Sequence, residues 1–363
     1  MTDGPSGPEA AYYDDLGRFV ELCGSLTAAG QPYLTVLLCH ELYRFLYPAE
    51  PHAGFVHSDP VPYLSAHIRR LIALGSAARE SVHGYPIPHA GGPPHSENEP
   101  VPPVERETSD LYSELWLGYD AHVLTEESQR LLARRITPDV VDEHIVGRTV
   151  LDLGCGSGRY AVALALLGAE SVTAVDYQAK SYQRAEAFCK KQALPVRFAE
   201  ADVLRLPFED QSFDFVFSNG VLHHTRSWQT ALAEYLRVMR RSGFLFLYAT
   251  GGFFWTTRRA LRSLFQAIPR AYTAAVLEII GMPANRMIFM DTWYVPIEEH
   301  ISRIELESTF ARQNVSFLKL MSQVPTDLDY AIAQGIPGAS IVWGEGEHRY
   351  LLDRRGALTP RPL

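Results

Sequence analysis

Two periods of apolar residues divide this chain. Up to about Ser81 the spacing is helical: Phe19, Leu22, Cys23 and Leu26 recur at i, i+3, i+4 and i+7, and Leu34, Leu37, Leu38, Leu42 and Phe45 do likewise. Leu64, Ile68 and Leu71 place a further helix over Pro62 to Ala78. From Thr149 onward, short apolar runs alternate with amphipathic stretches. The strands expected are Thr149 to Leu153, Ser171 to Asp176, Val196 to Glu200, Phe213 to Ser218 and Phe244 to Ala249, with helices at Arg159 to Leu167, Gln178 to Gln192 and Ser227 to Met239. That alternation predicts a doubly wound, Rossmann-like α/β sheet with helices on both faces. A late strand over Val315 to Met321 and a last one in IVWGEGEHRYLL, after a turn at Gly344 to Gly346, are expected to add an antiparallel hairpin on the sheet edge.

Between the two halves lies a stretch rich in Pro, Gly and His, from His83 to Pro103. It reads as a linker, and its histidines carry no spacing that fixes a metal site, so no metal is assigned. The expected division is therefore an N-terminal helical region with linker over 1–105 and a second domain over 106–363. That domain opens with a helix pair in SDLYSELWLGYDAHVLTEESQRLLARRI, which carries Tyr112, Trp116 and Tyr119. After the fifth strand, residues 251–300 form a lid-like insertion, read as two helices and then an aromatic-rich loop, with a helix following at Ile297, Ile301 and Ile304.

Composition narrows the chemistry. The formal net charge of −9 offers no general attraction for nucleic acid. Four cysteines without CxxC spacing indicate neither a zinc knuckle nor a disulfide framework, and a reducing cytoplasm is expected. The N-terminal sequence has no basic n-region followed by an apolar core, and no run is long enough to span a bilayer, so neither a targeting signal nor a membrane span is expected.

The richest stretch is TVLDLGCGSG, residues 149–158. An apolar run meets Asp152 and then Gly154, Gly156 and Gly158 on alternate positions, a strand, tight turn and helix in which backbone is open to a ligand. The spacing is GxGxG rather than the GxGxxG of dinucleotide turns. Right-handed crossovers bring the strand ends Asp152, Asp176, Asp202 and Ser218 to one edge. Asp176 suits two ribose hydroxyls, Asp202 with the Val203 backbone an adenine amino group, and Asp152 an ammonium group. Alone, each acid reads as a cap or solvated turn residue. Together they imply a nucleoside carrying an amino acid.

LDLGCGSG, VTAVDY, AEADVLRLPFEDQSFDFVFSNGVLHH and EYLRVMRRSGFLFLY resemble the successive motifs of class I S-adenosylmethionine-dependent methyltransferases, over roughly Thr149 to Thr250, in particular the subgroup with the ubiquinone and menaquinone enzymes. The resemblance implies a seven-stranded sheet, mostly parallel with the last strand antiparallel, and S-adenosylmethionine as cofactor. It places Gly154, Gly156 and Gly158 on the methionine part, Asp176 on the ribose, Asp202 and Val203 on the adenine, and Ser218 and Asn219 at the methionine end. Arg240 to Gly243 depart from the family's basic-Pro-Gly-Gly turn, a change expected to leave the site untouched. Tyr112 and Tyr177 are candidates for an aromatic cage over the sulfonium.

Methyl transfer is an in-line displacement in which the protein supplies mainly alignment and desolvation. His223 and His224 follow strand four and are candidate general bases, with packing beside the cofactor the plainer role. Tyr177 is the third candidate for a catalytic role. The insertion supplies candidate acceptor contacts in Phe254, Trp255, Asn285, Arg286, Asp291, Trp293, Tyr294, Glu298 and His300. The expected function is methyl transfer to a small molecule in specialised metabolism. A second reading on the same fold is a cyclase that closes an azetidine ring from the cofactor's own chain, and a third is a non-catalytic cofactor-binding module.

Overall fold

The computed structural model describes residues 7–46, 59–81, 104–116, 123–136, 144–252, 255–281, 283–320, 328–336 and 338–356. The His83 to Pro103 stretch, Tyr119 and Phe254 lie outside them. The chain forms two compact units: Met1–Val101 with Phe253–Val295 and Val324–Gly346, and Pro102–Gly252 with Pro296–Gln323 and Glu347–Leu363. This division departs from the contiguous one expected at residue 105, because most of the insertion groups with the N-terminal helices.

The helical unit contains α1 (Pro8–Ala28), α2 (Pro32–Leu46) and α3 (Pro60–Ser81) from the N-terminal region. Later parts of the chain add α9 (Trp255–Gln266), α10 (Arg270–Ile279), α11 (Pro283–Tyr294), α13 (Leu328–Ala333) and α14 (Ala339–Trp343). The aromatic-rich stretch expected as a loop is thus largely helix α11. Its aromatics fill a core: Phe265 stacks on Trp293 with ring centres 5.3 Å apart, and Phe289 meets both edge-on. Tyr12 on α1 hydrogen-bonds Thr257 on α9, so the insertion is joined to the N-terminal helices by polar as well as apolar contact.

The sheet unit opens with α4 (Val104–Trp116), a π-helical turn (Val123–Glu127) and α5 (Ser128–Arg135). Strands and helices then alternate: β1 (Thr149–Leu153), α6 (Arg159–Leu166), β2 (Ser171–Asp176), α7 (Gln183–Gln192), β3 (Val196–Glu200), β4 (Phe213–Asn219), α8 (Trp228–Val238) and β5 (Met239–Thr250). They end in α12 (Arg303–Arg312), β6 (Ser316–Lys319) and β7 (Glu347–Asp353). The seven-stranded order is β3-β2-β1-β4-β5-β7-β6. β1 to β5 are parallel, and β7 runs antiparallel to both β5 and β6. The expected late hairpin forms with its second strand inside and β6 at the edge.

Period-two burial builds the two faces of this sheet. Leu151, Leu153, Val216, Leu245 and Leu247 pack with Trp228, Leu232 and Tyr235 of α8 and with Phe310 of α12. Val150, Phe215, Phe217, Phe244 and Phe246 face Leu132 of α5 and Tyr160, Ala161 and Leu164 of α6. Arg240 to Gly243 lie within β5 rather than in a turn, and Arg240 pairs with Asp214 at 2.7 Å. Residues 296–302 are not helical, contrary to the helix expected from Ile297. Ser302 caps α12 in a reciprocal box with Glu305, so the helix starts at Arg303.

Candidate active site

At the end of β1 the chain turns through Gly154 at φ +59° and Gly156 at φ +52°, in the left-handed region where a side chain is strained. A Cβ on Gly154 would also stand 2.5 Å from a Val221 methyl. The turn is fixed by its neighbour strand: the Cys155 amide donates to the Val175 carbonyl at 2.9 Å, and the Gly156 amide donates to Asp176 Oδ2 at 2.8 Å. Beside this turn opens a cavity at the C-terminal edge of the parallel strands. Its wall includes Gly154, Gly156, Asp176, Tyr177, Asp202, Val203, Asn219 and His224, all anticipated from the sequence, and Tyr112 from α4.

Thr108 and Ser109 line the same cavity and escaped the sequence reading. With Tyr112 they stand at i, i+1 and i+4, one face of α4, and that helical spacing was the available signal. α4 is tied to the wall through Ser113 and Ser181, whose hydroxyls are 2.7 Å apart, and by Gln178, which donates to Asp110 at 3.2 Å.

Several expected contacts stand behind the wall. Gly158, at φ +76°, begins α6, and a Cβ there would lie 2.6 Å from the Ala185 methyl and 2.8 Å from the Phe198 ring. Its smallness serves the packing of α6 against α7 and β3. Ser218 is fully buried beside Tyr235. Asp152 is buried too, and its carboxylate accepts the Ala161 amide in the first turn of α6. Burial and the nearby Asp176 charge push the Asp152 carboxyl well above the usual range. Burial also raises the Asp176 carboxyl, against the opposing pull of the Gly156, Gln178 and Tyr177 amides.

The two histidines divide. His223 is buried outside the cavity wall, and its Nδ1 accepts the Thr250 amide at 3.3 Å. His224 faces the cavity. Its Nδ1 lies 2.8 Å from the Ile297 carbonyl and its Nε2 2.8 Å from the Tyr112 hydroxyl. Pro296 and its neighbours, which belong to no helix, bring that carbonyl to the ring, and the Glu299 amide donates to the His223 carbonyl at 2.8 Å. His300 bonds the Gly251 carbonyl at 2.9 Å.

Among the acceptor candidates, Trp293 is buried against Phe265, and the Tyr294 hydroxyl bonds the Ile268 carbonyl at 2.9 Å and Thr273 at 2.6 Å, so both serve the core of the helical unit. Trp255 begins α9, and Asn285, Arg286 and Asp291 lie on α11. All six belong to the helical unit, and the side chains of Asn285 and Arg286 lie outside the described residues. No group of metal-ligating side chains occurs among the described residues, and no described helix is long and apolar enough to cross a membrane.

The cavity suits a cofactor bearing both an amino acid and a nucleoside. Asn219 Oδ1 on the wall has no hydrogen-bond partner among the described residues, which is the state of an acceptor awaiting a ligand's donor. The glycine turn leaves backbone where a Cβ would collide, and Asp176 sits one strand away. A parallel sheet carrying such a site defines a Rossmann-like cofactor-binding domain.

Residues 151–247 match the family described as "Methyltransferase domain". The chain is 35% identical over 119 residues to a tRNA U34 carboxymethyltransferase of Marinobacter nauticus, a match covering 31% of this chain and 34% of that protein. It is 31% identical over 148 residues to the 27-O-demethylrifamycin SV methyltransferase of Amycolatopsis mediterranei, covering 38% of this chain and 54% of that one. Among solved structures, a SAM-dependent methyltransferase from Aquifex aeolicus shares 20% identity at a TM-score of 0.32, over 43% of this chain and 87% of its own. The chain thus spans about a third to a half of the lengths of the two named relatives. Residues 151–247 carry a methyltransferase domain, and the match supports a class I S-adenosylmethionine-dependent methyltransferase with S-adenosylmethionine as its cofactor.

Proposed function

We propose that the protein transfers a methyl group from S-adenosylmethionine to a small-molecule acceptor. The observation that carries this reading is the single cavity wall that joins the glycine turn, Asp176, Asp202 with Val203, and Asn219. Asp176 would hold the ribose, Asp202 and the Val203 backbone the adenine, and the Gly154 to Gly156 backbone with Asn219 the methionine end. When bound, the cofactor supplies a sulfonium methyl carbon with a good leaving group. The chain's own contribution is alignment and exclusion of water, with Tyr112, held by His224, positioned at the wall to orient an acceptor.

A small acceptor is favoured by the net charge of −9, which provides no phosphate-binding face. The relative that acts on rifamycin agrees with a small acceptor, whereas the other acts on tRNA. The test is to incubate the full chain with S-adenosylmethionine and a panel of phenols, amines, carboxylic acids and tRNA, and to identify the sulfur product. S-adenosylhomocysteine formed with a small acceptor is the expected result. Methylthioadenosine formed without an acceptor would instead identify the cyclase, and turnover with tRNA alone would overturn the choice of acceptor class.

A further inference from the structure

A charged cluster closes one face of the sheet at the same edge as the cavity. On that face Phe244 and Phe246 of β5 and Leu351 of β7 are apolar, and the next residues toward the edge are Tyr248, Arg349 and Glu347. Arg135, the last residue of α5, completes the group. Its guanidinium carbon lies 4.8 Å from the Tyr248 ring centre, and that of Arg349 lies 5.6 Å from it. Among the described residues Glu347 is the carboxylate paired with both: Arg135 Nη1 is 4.0 Å from its Oε2, and Arg349 Nη2 bonds the same oxygen. Tyr248 donates to its Oε1 at 3.4 Å.

Among the described residues, two cations therefore share one anion, and two donors are left over. Arg349 has a side chain only 8% exposed, yet its Nε has no hydrogen-bond partner among the described residues, and neither has Arg135 Nη1. A buried guanidinium short of acceptors is unfavourable unless an anion joins it. The cluster also touches the cavity wall twice. The Gly220 amide donates to the Tyr248 carbonyl at 3.1 Å, and Tyr160 stands beside Arg135, while Gly220 and Tyr160 both line the cavity.

We propose that Arg135 and Arg349, set on the Tyr248 ring, bind a carboxylate group of the acceptor. The surplus positive charge among the described residues, with two guanidinium nitrogens that have no hydrogen-bond partner among them, matches a singly charged group with two acceptor oxygens, the pairing for which the guanidinium fork is suited. The proposal rests on the reading of the adjoining cavity as the cofactor site, because only then does a ligand on this cluster lie beside the reacting methyl. The competing role is a purely structural tie between α5 and the sheet.

The experiment uses the full chain in calorimetric titrations, first with S-adenosylhomocysteine and then, on the saturated complex, with benzoate and with benzamide as its uncharged counterpart. Saturable benzoate binding at least about tenfold tighter than benzamide is expected. Arg135→Gln, at the more exposed end of the cluster, should lose about tenfold for benzoate and keep its affinity for S-adenosylhomocysteine. No saturable benzoate binding, equal binding of benzamide, or undiminished binding by Arg135→Gln would overturn the proposal. The benzoate and benzamide comparison on the unaltered protein decides the matter even if the variant does not fold. Failure of the first titration would instead overturn the cofactor reading beneath it.

Discussion

The Tyr112 hydroxyl donates its hydrogen bond to His224 Nε2 across 2.8 Å, joining α4 to the turn after β4. The direction follows from the other side of the ring. Nδ1 faces the Ile297 carbonyl, which can only accept, so Nδ1 carries the proton and Nε2 of the neutral ring holds the lone pair. His224 therefore has no lone pair free for an acceptor while Tyr112 is in place.

Removing the hydroxyl should change the chemistry of His224. Tyr112→Phe keeps the ring on the cavity wall and frees Nε2, so diethyl pyrocarbonate is expected to modify His224 faster in the variant than in the unaltered protein. Affinity for S-adenosylhomocysteine should fall by about 1 kcal/mol, the net worth of one hydrogen bond holding α4 in place. Peptide mapping that finds His224 equally reactive in both would show that this bond does not occupy the ring in solution.

Asp176 combines two duties, since the oxygen that holds the Gly156 amide belongs to the carboxylate assigned to the ribose. Asp176→Ala should weaken S-adenosylhomocysteine binding by about 2–3 kcal/mol, as expected when charged hydrogen bonds are unpaired. Asp176→Asn retains an oxygen for the amide and should lose less. Calorimetric affinities equal to that of the unaltered protein in both variants would rule out the site.

Where the sequence spoke clearly, a local pattern and its structural cause coincided. TVLDLGCGSG carries strand, turn and helix within ten residues, and Asp176 and Asn219 end the two strands that flank β1. Gly158 shows the limit of such reading. Its spacing groups it with Gly154 and Gly156, but only the placement of Ala185 and Phe198 reveals that it serves packing. Ser109 and the Ile297 carbonyl reach the site from distant segments, and a carbonyl carries no residue-type signal at all. Trp293 and Tyr294 stand in a stretch whose sequence reads as an aromatic-rich loop. Their true setting, a helix with one face turned into a core, was masked by apolar residues on several sides of α11.

Gly158 supports a stability prediction in the same terms. Gly158→Ala places a methyl 2.6 Å from the Ala185 methyl and asks a non-glycine residue to hold φ +76°. A loss of about 1–3 kcal/mol is expected from the overpacking and left-handed strain together. Chemical denaturation measures it, and an unchanged midpoint would mean that α6 moves away from α7 without penalty.

Asp152 offers a pH-dependent test. Burial and the Asp176 charge raise its folded pKa above the unfolded value, so the folded protein binds the extra proton between the two. The penalty is absent below the unfolded pKa, where both states are protonated, and grows as pH rises toward the folded pKa, above which it is complete. Asp152→Asn removes the titration and leaves an oxygen for the Ala161 amide. The cofactor-free variant should therefore match the unaltered protein near about pH 4 and melt above it near about pH 8, by about 1.4 kcal/mol for each unit of the raised pKa. Melting temperatures across that range decide it: a variant that melts lower at the alkaline end would mean that the ionised carboxylate stabilises α6 by more than its burial costs.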